Sequence, residues 1–326
     1  MFSSFLGELK GYFGKAFVLA VWLPILLFTS AGFAVYLAGA GILRVSWERW
    51  LGLQIEDKVL LTAAFLITVT LTAYVIDYMQ VPITRMFEGY WDDVTGLRAF
   101  GRWKRRRCES QLSLLDARLE VLAEEIPTLE QNKRHADLLK AEFNRLTERR
   151  LLSFPPPGYE AQLMPTRIGN IYKAAELYPY TRYRIDTVII WPRLRQVLPD
   201  GFVGRMQEVK TAADFLLLFA LLAAIFSLAS LAYLIAQGAA MSLIAVCALG
   251  LPLGWLSYQA SLAPARGYAE MIKVAFDLYR QPLLKSLGLE LPTSLSEEQK
   301  LWREVSTFIF RGVPPAKDWR LTPPKS

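Results

Sequence analysis

FLLLFALLAAIFSLASLAYLIA, residues 215–236, decides the fold, because this run contains no charged side chain. An α-helix rises about 1.5 Å per residue, so about 20 apolar residues cross the hydrocarbon core of a bilayer. Three more uncharged blocks, each of 18 residues or longer, lie at 16–43, 59–76 and 239–263. The sequence therefore predicts an all-α membrane protein with four transmembrane helices.

The composition excludes most familiar kinds of catalytic and metal site. The 326 residues include one histidine, His135, and two cysteines, Cys108 and Cys247. That set is too small for a histidine–cysteine metal site, a disulfide framework or a serine–histidine–aspartate triad. The chain also has no glycine-rich phosphate loop and no dinucleotide fingerprint, so we expect no metal and no cofactor.

Basic residues are unevenly distributed along the chain. The formal net charge is +7, yet the short connection 44–58 carries three basic and three acidic residues. The long segment 78–214 and the C-terminal segment carry most of the Lys and Arg. Cytoplasmic loops of polytopic proteins are rich in these residues, so we expect both termini and the central segment to be cytoplasmic. This assignment explains the basic excess without a nucleic-acid partner.

The apolar blocks and the charges together predict two transmembrane helical hairpins, with a helical cytoplasmic domain between them and amphipathic C-terminal helices. The expected segments are an amphipathic interfacial helix (1–15), the first transmembrane hairpin (16–79), the cytoplasmic helical domain (80–210), the second transmembrane hairpin (211–264), the cytoplasmic C-terminal helices (265–312) and a flexible tail (313–326). The lipid bilayer is therefore the first partner that the sequence implies.

The cytoplasmic domain contains a long stretch with helical periodicity. The segment 83–154 is predicted to be helical throughout. Its leucines alternate steps of three and four, as in a coiled coil: Leu112, Leu115, Leu119 and Leu122. Pro127 interrupts this pattern, which fits either an antiparallel helical hairpin or one long kinked helix. The apolar seam needs a partner within the chain or from a second copy, and we expect a homo-oligomer.

Two groups of side chains are candidates for contacts with a pore or with lipid. Thr68 and Thr72 lie four residues apart on one face of the second span, where small polar residues either pack against another helix or line a pore. The second group is a basic cluster made of Arg102, Lys104, Arg105, Arg106 and Arg107. These cations either contact anionic lipid headgroups or form a solvated or intersubunit face.

The densest group of polar and aromatic residues lies between 165 and 193. Thr166 is placed to cap a helix over 167–177, and the apolar run 188–191 has the character of a strand. Four polar residues form either a salt-bridged junction that docks this domain on the membrane or a pocket for an anion, a headgroup or a protein partner: Arg167, Asn170, Asp186 and Arg193.

Four stretches of the chain resemble an uncharacterised family of bacterial four-span inner-membrane proteins. They are PTRIGN (165–170), YRIDTVIIWPRL (183–194), AFDLYRQPLL (275–284) and SEEQKLW (296–302). The resemblance implies a multi-pass protein of the bacterial inner membrane. It supplies neither an activity nor a catalytic residue.

Three functions are open to such a chain. The first is a non-enzymatic oligomeric scaffold or sensor whose helical domain binds a cytoplasmic protein partner or lipid. The second is a homo-oligomeric passive ion channel lined by the second span, because the spans lack the charges that coupled transport needs. The third is a lipid-modifying membrane enzyme that uses carboxylates such as Glu88, Asp92 and Asp93. No catalytic motif is present, so we favour a non-enzymatic oligomeric membrane protein, with the scaffold or sensor slightly ahead of the channel.

Overall fold

The computed structural model describes residues 17–91, 96–128, 133–314 and 319. It is 85% helical, and the described residues contain no strand, which confirms the predicted all-α class. The chain divides into two compact units. Unit 1 comprises Met1–Thr84 and Lys210–Pro264, and unit 2 comprises Arg85–Val209 and Ala265–Ser326.

Helices account for nearly all of the described structure. The α-helices, numbered in chain order, are α1 (Leu23–Gly39), α2 (Leu43–Gly52), α3 (Ile55–Tyr78), α4 (Gln80–Glu88), α5 (Leu97–Thr128), α6 (Lys133–Ser153), α7 (Arg167–Tyr183), α8 (Thr187–Leu194), α9 (Asp200–Ala236), α10 (Met241–Ala248), α11 (Gly250–Ser286) and α12 (Leu295–Arg311). A π-helical turn, Val18–Trp22, leads directly into α1, and 3-10 turns lie at Glu160–Gln162 and Arg195–Val197.

Four of the described helical segments are long and apolar enough to cross a membrane. They are Val18–Gly39, Ile55–Tyr78, Asp200–Ala236 and Met241–Ser286. Each overlaps one of the four predicted apolar blocks, so the predicted spans are confirmed in length and composition.

In unit 1, the π-helical turn is buried against α3 and α9. Trp22 is fully buried, and its indole donates a hydrogen bond from Nε1 to Thr70 Oγ1 at 3.1 Å. Val69 and Ala73 from α3 and Leu218 from α9 belong to the same apolar cluster. An indole N–H needs a partner in apolar surroundings, so this bond holds the turn against α3.

Small residues let α9 pack closely against α10 and α11 in unit 1. Ser227 donates to the Cys247 carbonyl at 2.9 Å, and Ser257 donates to the Leu216 carbonyl at 2.7 Å. From Leu216 to Ser227 the residue numbers rise along α9, while their partners fall from Ser257 to Cys247. α9 therefore runs antiparallel to α10 and α11. A methyl group on Gly250 would lie 2.1 Å from Ser227 Oγ, so alanine there would displace the Ser227 hydroxyl from this contact.

In unit 2, α5 and α6 also form an antiparallel pair. Arg118 donates to Glu142 at 3.1 Å, and Arg150 donates to Asp116 at 2.7 Å. The leucines of the heptad pattern are buried or half-buried and include Leu112, Leu115, Leu119 and Leu122. The apolar seam is therefore covered within the chain, and the antiparallel arrangement is found instead of one long kinked helix.

The predicted continuous helix over 83–154 is wrong between α4 and α5. α4 ends at Glu88, and the next residue, Gly89, adopts a φ of 94°. Gly96, just before α5, adopts a φ of 100°. Only glycine adopts such angles readily, and they lie outside the helical region. Two glycines therefore end one helix and precede the next, although the apolar periodicity continues.

The end of α4 touches the start of α7 within unit 2. Thr166 Oγ1 donates to the Glu88 carbonyl at 2.8 Å, and a methyl group on Gly169 would lie 2.1 Å from that oxygen. A methyl group on Gly89 would likewise lie 2.4 Å from Pro165 Cγ. The absence of side chains at these two glycines allows the two segments to make direct contact.

The main core of unit 2 forms where α8, the start of α9, α11 and α12 meet, and Tyr183 at the end of α7 packs against it. Phe276 and Trp302 are fully buried at its centre, with Ile190 and Leu194 beside them. The predicted strand-like character of 188–191 is wrong, because this run lies inside α8. A short apolar run is ambiguous between strand and helix, and a helix cap just before it favours the helix.

Two predicted segments lie outside the described residues. They are the interfacial helix at 1–15 and most of the tail at 313–326. Both stay predictions.

Candidate functional site

The candidate site begins with the last two turns of α7. Thr166 caps this helix, as predicted, since its Oγ1 accepts a hydrogen bond at 3.0 Å from a backbone N–H of the first turn. The helix continues past the predicted end at 177 and stops before Arg184, which adopts a φ of 60°. This extension places Tyr178, Arg182 and Tyr183 in one helix.

α11 supplies the facing side chains. Glu270, Lys273, Asp277 and Arg280 are separated by three, four and three residues, so they lie along one face of the helix. Lys273 is buried, and its Nζ donates to Glu270 at 2.6 Å. α12 adds Glu298, whose side chain is also buried.

Asp277 holds two tyrosines at once. Tyr178 donates from its hydroxyl to Asp277 Oδ2 at 2.8 Å, and Tyr183 donates to Oδ1 at 2.7 Å. Each carboxylate oxygen therefore accepts one phenol proton. Hydrogen bonds to a carboxylate are among the stronger ones in proteins, so this pair ties the end of α7 to α11.

Two arginines stack on these tyrosines and differ in their partners. The Arg280 guanidinium lies 4.1 Å from the centre of the Tyr183 ring, and its Nε donates to Glu298 at 2.8 Å. The Arg182 guanidinium lies 4.6 Å from the centre of the Tyr178 ring. Arg182 is exposed, and its guanidinium forms no hydrogen bond or ion pair with any residue that the structure describes.

Burial and the bonds to Asp277 raise the pKa of both phenols above the ordinary tyrosine value. Burial, followed by the hydrogen bond and the charge of Asp277, raises the pKa of Tyr178 to about 12. Burial and then the same carboxylate raise the pKa of Tyr183. At neutral pH both side chains are hydrogen-bond donors, and neither is poised to act as a base or a nucleophile.

A cavity of about 420 Å³ opens at this cluster. Its polar lining consists of Tyr178, Thr181, Arg182, Glu270, Lys273 and Asp277. Its apolar lining consists of Leu151, Leu152, Phe154, Pro156, Pro157, Ala174 and Val274. Pockets that bind small molecules typically have volumes of about 300–1,000 Å³, so this cavity is large enough for a ligand or for side chains of a partner.

Most of the charged groups at the cavity are paired with other side chains. Both oxygens of Asp277 are already engaged, and Lys273 is paired with Glu270. The described residues contain no cluster of three or more metal-binding side chains. What the cavity offers is an apolar wall beside an exposed cation, Arg182, and this pairing fits an acidic group carried on an apolar segment.

The predicted pocket residues take structural positions along α7 and α8. Asn170 is buried, and its side chain bonds to both the N–H and the carbonyl of Met164. Asp186 accepts a hydrogen bond from a backbone N–H as the cap of α8. Arg193 donates to a carbonyl one turn earlier at 2.9 Å, and Arg167 is exposed in the first turn of α7. A ligand-binding role for these four stays a prediction.

The other predicted contact residues lie mostly on exposed surface. Thr68 and Thr72 are exposed, and each hydroxyl donates to the carbonyl four residues earlier, at 2.9 and 2.8 Å. These hydroxyls are satisfied without a second helix, so the face suits lipid, another copy or a pore. In the basic cluster, the exposed residues are Arg102, Arg106 and Arg107, and the half-buried ones are Lys104 and Arg105.

Sequence reasoning missed the partnership between α7 and α11. Tyr178 and Asp277 are 99 residues apart, and no periodicity connects them. Tyr183, Asp277 with Arg280, and Glu298 lie in three of the four stretches singled out in the sequence, but nothing in those stretches indicated that they meet.

No protein-family model, no curated protein and no solved structure matches the chain, so its function is inferred from its own residues.

Proposed function

We propose that the chain is a multi-pass protein of the bacterial inner membrane that works as an oligomeric scaffold or sensor. In this proposal two transmembrane helical hairpins anchor it, and both termini and unit 2 are cytoplasmic. The helical cytoplasmic domain binds a protein partner, and no chemical reaction is assigned to it.

Two observations support the cellular placement. Four helical segments are long and apolar enough to cross a membrane, and most of the 37 Lys and Arg lie in 78–214 and after 264. The positive-inside rule then makes unit 2 cytoplasmic. The resemblance of PTRIGN and YRIDTVIIWPRL to a bacterial inner-membrane family supports the choice of membrane.

Arg182 is the observation that carries the proposed binding function. Its carbonyl accepts a hydrogen bond from Gln299 at 2.7 Å, and its side chain stacks on Tyr178, which Asp277 holds in turn. The cation is therefore positioned by its surroundings while its N–H groups stay available. A preorganised arginine beside an apolar cavity is a typical anchor for a protein segment that presents a carboxylate next to apolar side chains.

Site-specific photo-cross-linking in cells tests this function. A photoreactive phenylalanine analogue at Thr181, which lines the cavity, should give one adduct of discrete size that contains a second protein. The same analogue at Ala141, an exposed position on α6, is the matched control and should give none. Arg182→Gln should abolish the adduct at 181.

The scaffold proposal fails if position 181 gives no adduct beyond that of the control. It also fails if the adduct at position 181 forms equally well in Arg182→Gln, because the cation would then contribute nothing to recognition.

One observation favours a passive channel as the alternative. Thr68 and Thr72 form an exposed polar stripe on α3. Only 11% of the apolar stretch of this helix is buried against the rest of the chain. An oligomer that gathers several copies of α3 would place this stripe around a central axis.

Mass photometry of purified protein, followed by ion flux in liposomes from the same sample, separates the two functions. The scaffold proposal expects an oligomer that leaves liposomes tight. A ring of four or more copies with ion flux, lost when Thr68 and Thr72 are replaced by Leu, would establish the channel instead.

A further inference from the structure

Three aromatic rings lie in a row at the start of α5, within unit 2. The Trp91 and Phe100 ring centres are 5.4 Å apart with an interplanar angle of 24°, and those of Phe100 and Trp103 are 5.6 Å apart. Phe100 is 45% exposed and Trp103 is 51% exposed. Large rings gathered on an exposed surface indicate a contact with another molecule or with a membrane.

Cations surround these rings. Lys104 Nζ lies 5.6 Å from the Phe100 ring centre and 5.5 Å from that of Trp103. The guanidinium of Arg107 lies 5.8 Å from the Trp103 ring centre. Arg102 and Arg106 are exposed on the same stretch of α5.

The acidic residues nearest to this basic stretch in sequence are Asp93 and Glu109, which lie on either side of it. Residues 97–107 contain no Asp or Glu, and Arg102, Lys104, Arg106 and Arg107 form no ion pair with any residue in the described part of the chain. The aromatic–basic face is defined here as Trp91, Phe100, Arg102, Trp103, Lys104, Arg106 and Arg107.

We propose that the aromatic–basic face binds the anionic headgroup surface of a lipid bilayer. Aromatic side chains are enriched at the membrane interface, where the hydrocarbon core meets the polar headgroups. Clustered Lys and Arg are attracted to anionic lipid. The charge of the face is therefore complementary to phosphatidylglycerol or a similar lipid. The proposal does not depend on the cavity at Arg182 or on what that cavity binds.

The chain itself keeps this face within reach of a bilayer. Trp91 follows Tyr78, the last residue of a helix long enough to cross a membrane, by 13 residues. Thirteen residues span at most about 45 Å even when fully extended.

Single-stranded nucleic acid is the strongest competing occupant, because it too favours cations and aromatic rings. Its bases bind by stacking on free ring faces. Here Trp91 and Phe100 stack on each other, and Lys104 and Arg107 lie over the face of Trp103. A membrane interface can contact the ring edges and the cations at the same time. The rings need not give up their present stacking and cation contacts, so a membrane fits the arrangement better.

Fluorescence of the full chain in nanodiscs tests the proposal. The background carries Cys108→Ser and Cys247→Ser, and Ala99→Cys receives an environment-sensitive dye. Ala99 is exposed and lies one helical turn before Trp103, on the same side of α5. The same label at Ala141, exposed on α6, serves as the control position.

The discs contain phosphatidylcholine alone or with about one third phosphatidylglycerol, and both include a headgroup-labelled quenching lipid. Each cation at an anionic surface favours binding by about fivefold, so the dye at 99 should be strongly quenched only with phosphatidylglycerol. Salt at about 1 M shortens the electrostatic screening length to about 3 Å, so it should restore the fluorescence of the dye at 99 when all the cations of the face are present.

Two variants of equal net charge complete the design. One neutralises the face through Arg102→Gln, Lys104→Gln, Arg106→Gln and Arg107→Gln. The other neutralises exposed cations elsewhere in unit 2 through Lys140→Gln, Arg145→Gln, Arg149→Gln and Lys300→Gln. Only the first should lose the quenching at 99.

Equal quenching in both kinds of disc, or quenching that survives high salt, would overturn the proposal. Equal loss in the two neutralised variants would overturn it as well, because only net charge would then matter. Displacement of the dye from lipid by a single-stranded oligonucleotide at micromolar concentration would assign the face to nucleic acid instead.

Discussion

At the scale of single residues, Tyr178 links the stability of unit 2 to alkaline pH. The pKa of this phenol is about 12 in the folded chain, whereas an unfolded tyrosine titrates near 10. The folded chain thus holds the proton more tightly, so the stabilisation is complete below pH 10 and is lost as the pH rises towards 12. We expect the unfolding temperature, followed by circular dichroism, to fall more steeply over this range in the wild type than in Tyr178→Phe.

Tyr180 provides the control for this titration. It lies in the same helix, is 41% exposed and forms no bond to Asp277. Tyr180→Phe should keep the wild-type slope between pH 10 and 12. Identical slopes for the wild type and Tyr178→Phe would show that the bond to Asp277 does not hold the proton.

The contact between α4 and α7 depends on the absence of a side chain at Gly169. A methyl group there would lie 2.1 Å from the Glu88 carbonyl oxygen and 2.7 Å from Met164 Cβ. The backbone must move to relieve this overlap, so we expect Gly169→Ala to lower the free energy of unfolding by roughly 1–3 kcal/mol. Denaturation followed by circular dichroism measures the change.

Gly204 is the matched control, because it is helical and has no atom within 4 Å of an added methyl group. Alanine costs less conformational entropy than glycine in a helix, so Gly204→Ala should stabilise by about 0.5–1 kcal/mol. Stabilisation by both substitutions would mean that α4 and α7 are not in direct contact.

At the scale of elements, α8 depends on its cap. This helix has eight residues, and isolated helices of that length are unstable in water. Asp186 accepts a hydrogen bond from Ile189 N–H at 3.1 Å. Asp186→Ala removes this cap and should lower the free energy of unfolding by about 1 kcal/mol, whereas Asp186→Ser can still cap the helix and should lower it much less. An equally large loss in Asp186→Ser, measured by thermal unfolding, would show that the carboxylate does more than cap the helix.

The elements that sequence predicts well are those whose signal is local. An uncharged run such as 215–236 specifies a membrane-spanning helix by itself, and leucines such as Leu112 and Leu115 reveal a buried helix face through their spacing alone. The cap at Thr166 is equally local, because donor and acceptor lie three residues apart.

The rest could not be predicted because its cause is not local. The apolar pattern runs on across the break at Gly89, so only the backbone angle of that residue reveals the end of α4. The candidate site depends on Asp277 meeting Tyr178 and Tyr183 across more than 90 residues. Polarity singled out Asn170 and Asp186 in the sequence, but both side chains form hydrogen bonds with nearby backbone groups.

At the scale of the whole molecule, the distribution of charge predicts how the chain lies in the membrane. The connections 44–58 and 237–238 together carry three Lys or Arg, whereas the segments next to the other ends of the spans, 1–15, 77–97, 195–214 and 264–284, together carry nine. The positive-inside rule weighs Lys and Arg near the spans and gives little weight to Asp and Glu. The connection 44–58 is therefore expected outside the cytoplasm, opposite to α12.

Cysteine labelling in intact spheroplasts tests this topology. In the Cys108→Ser, Cys247→Ser background, Gln54→Cys and Ser296→Cys each place one thiol at an exposed position, in the connection and in α12 respectively. A membrane-impermeant maleimide should label position 54 directly and position 296 only after the membrane is permeabilised. Labelling in the reverse order would place unit 2 outside the cytoplasm. The cavity at Arg182 would then need an extracytoplasmic partner, because the side of the membrane decides which proteins that arginine can meet.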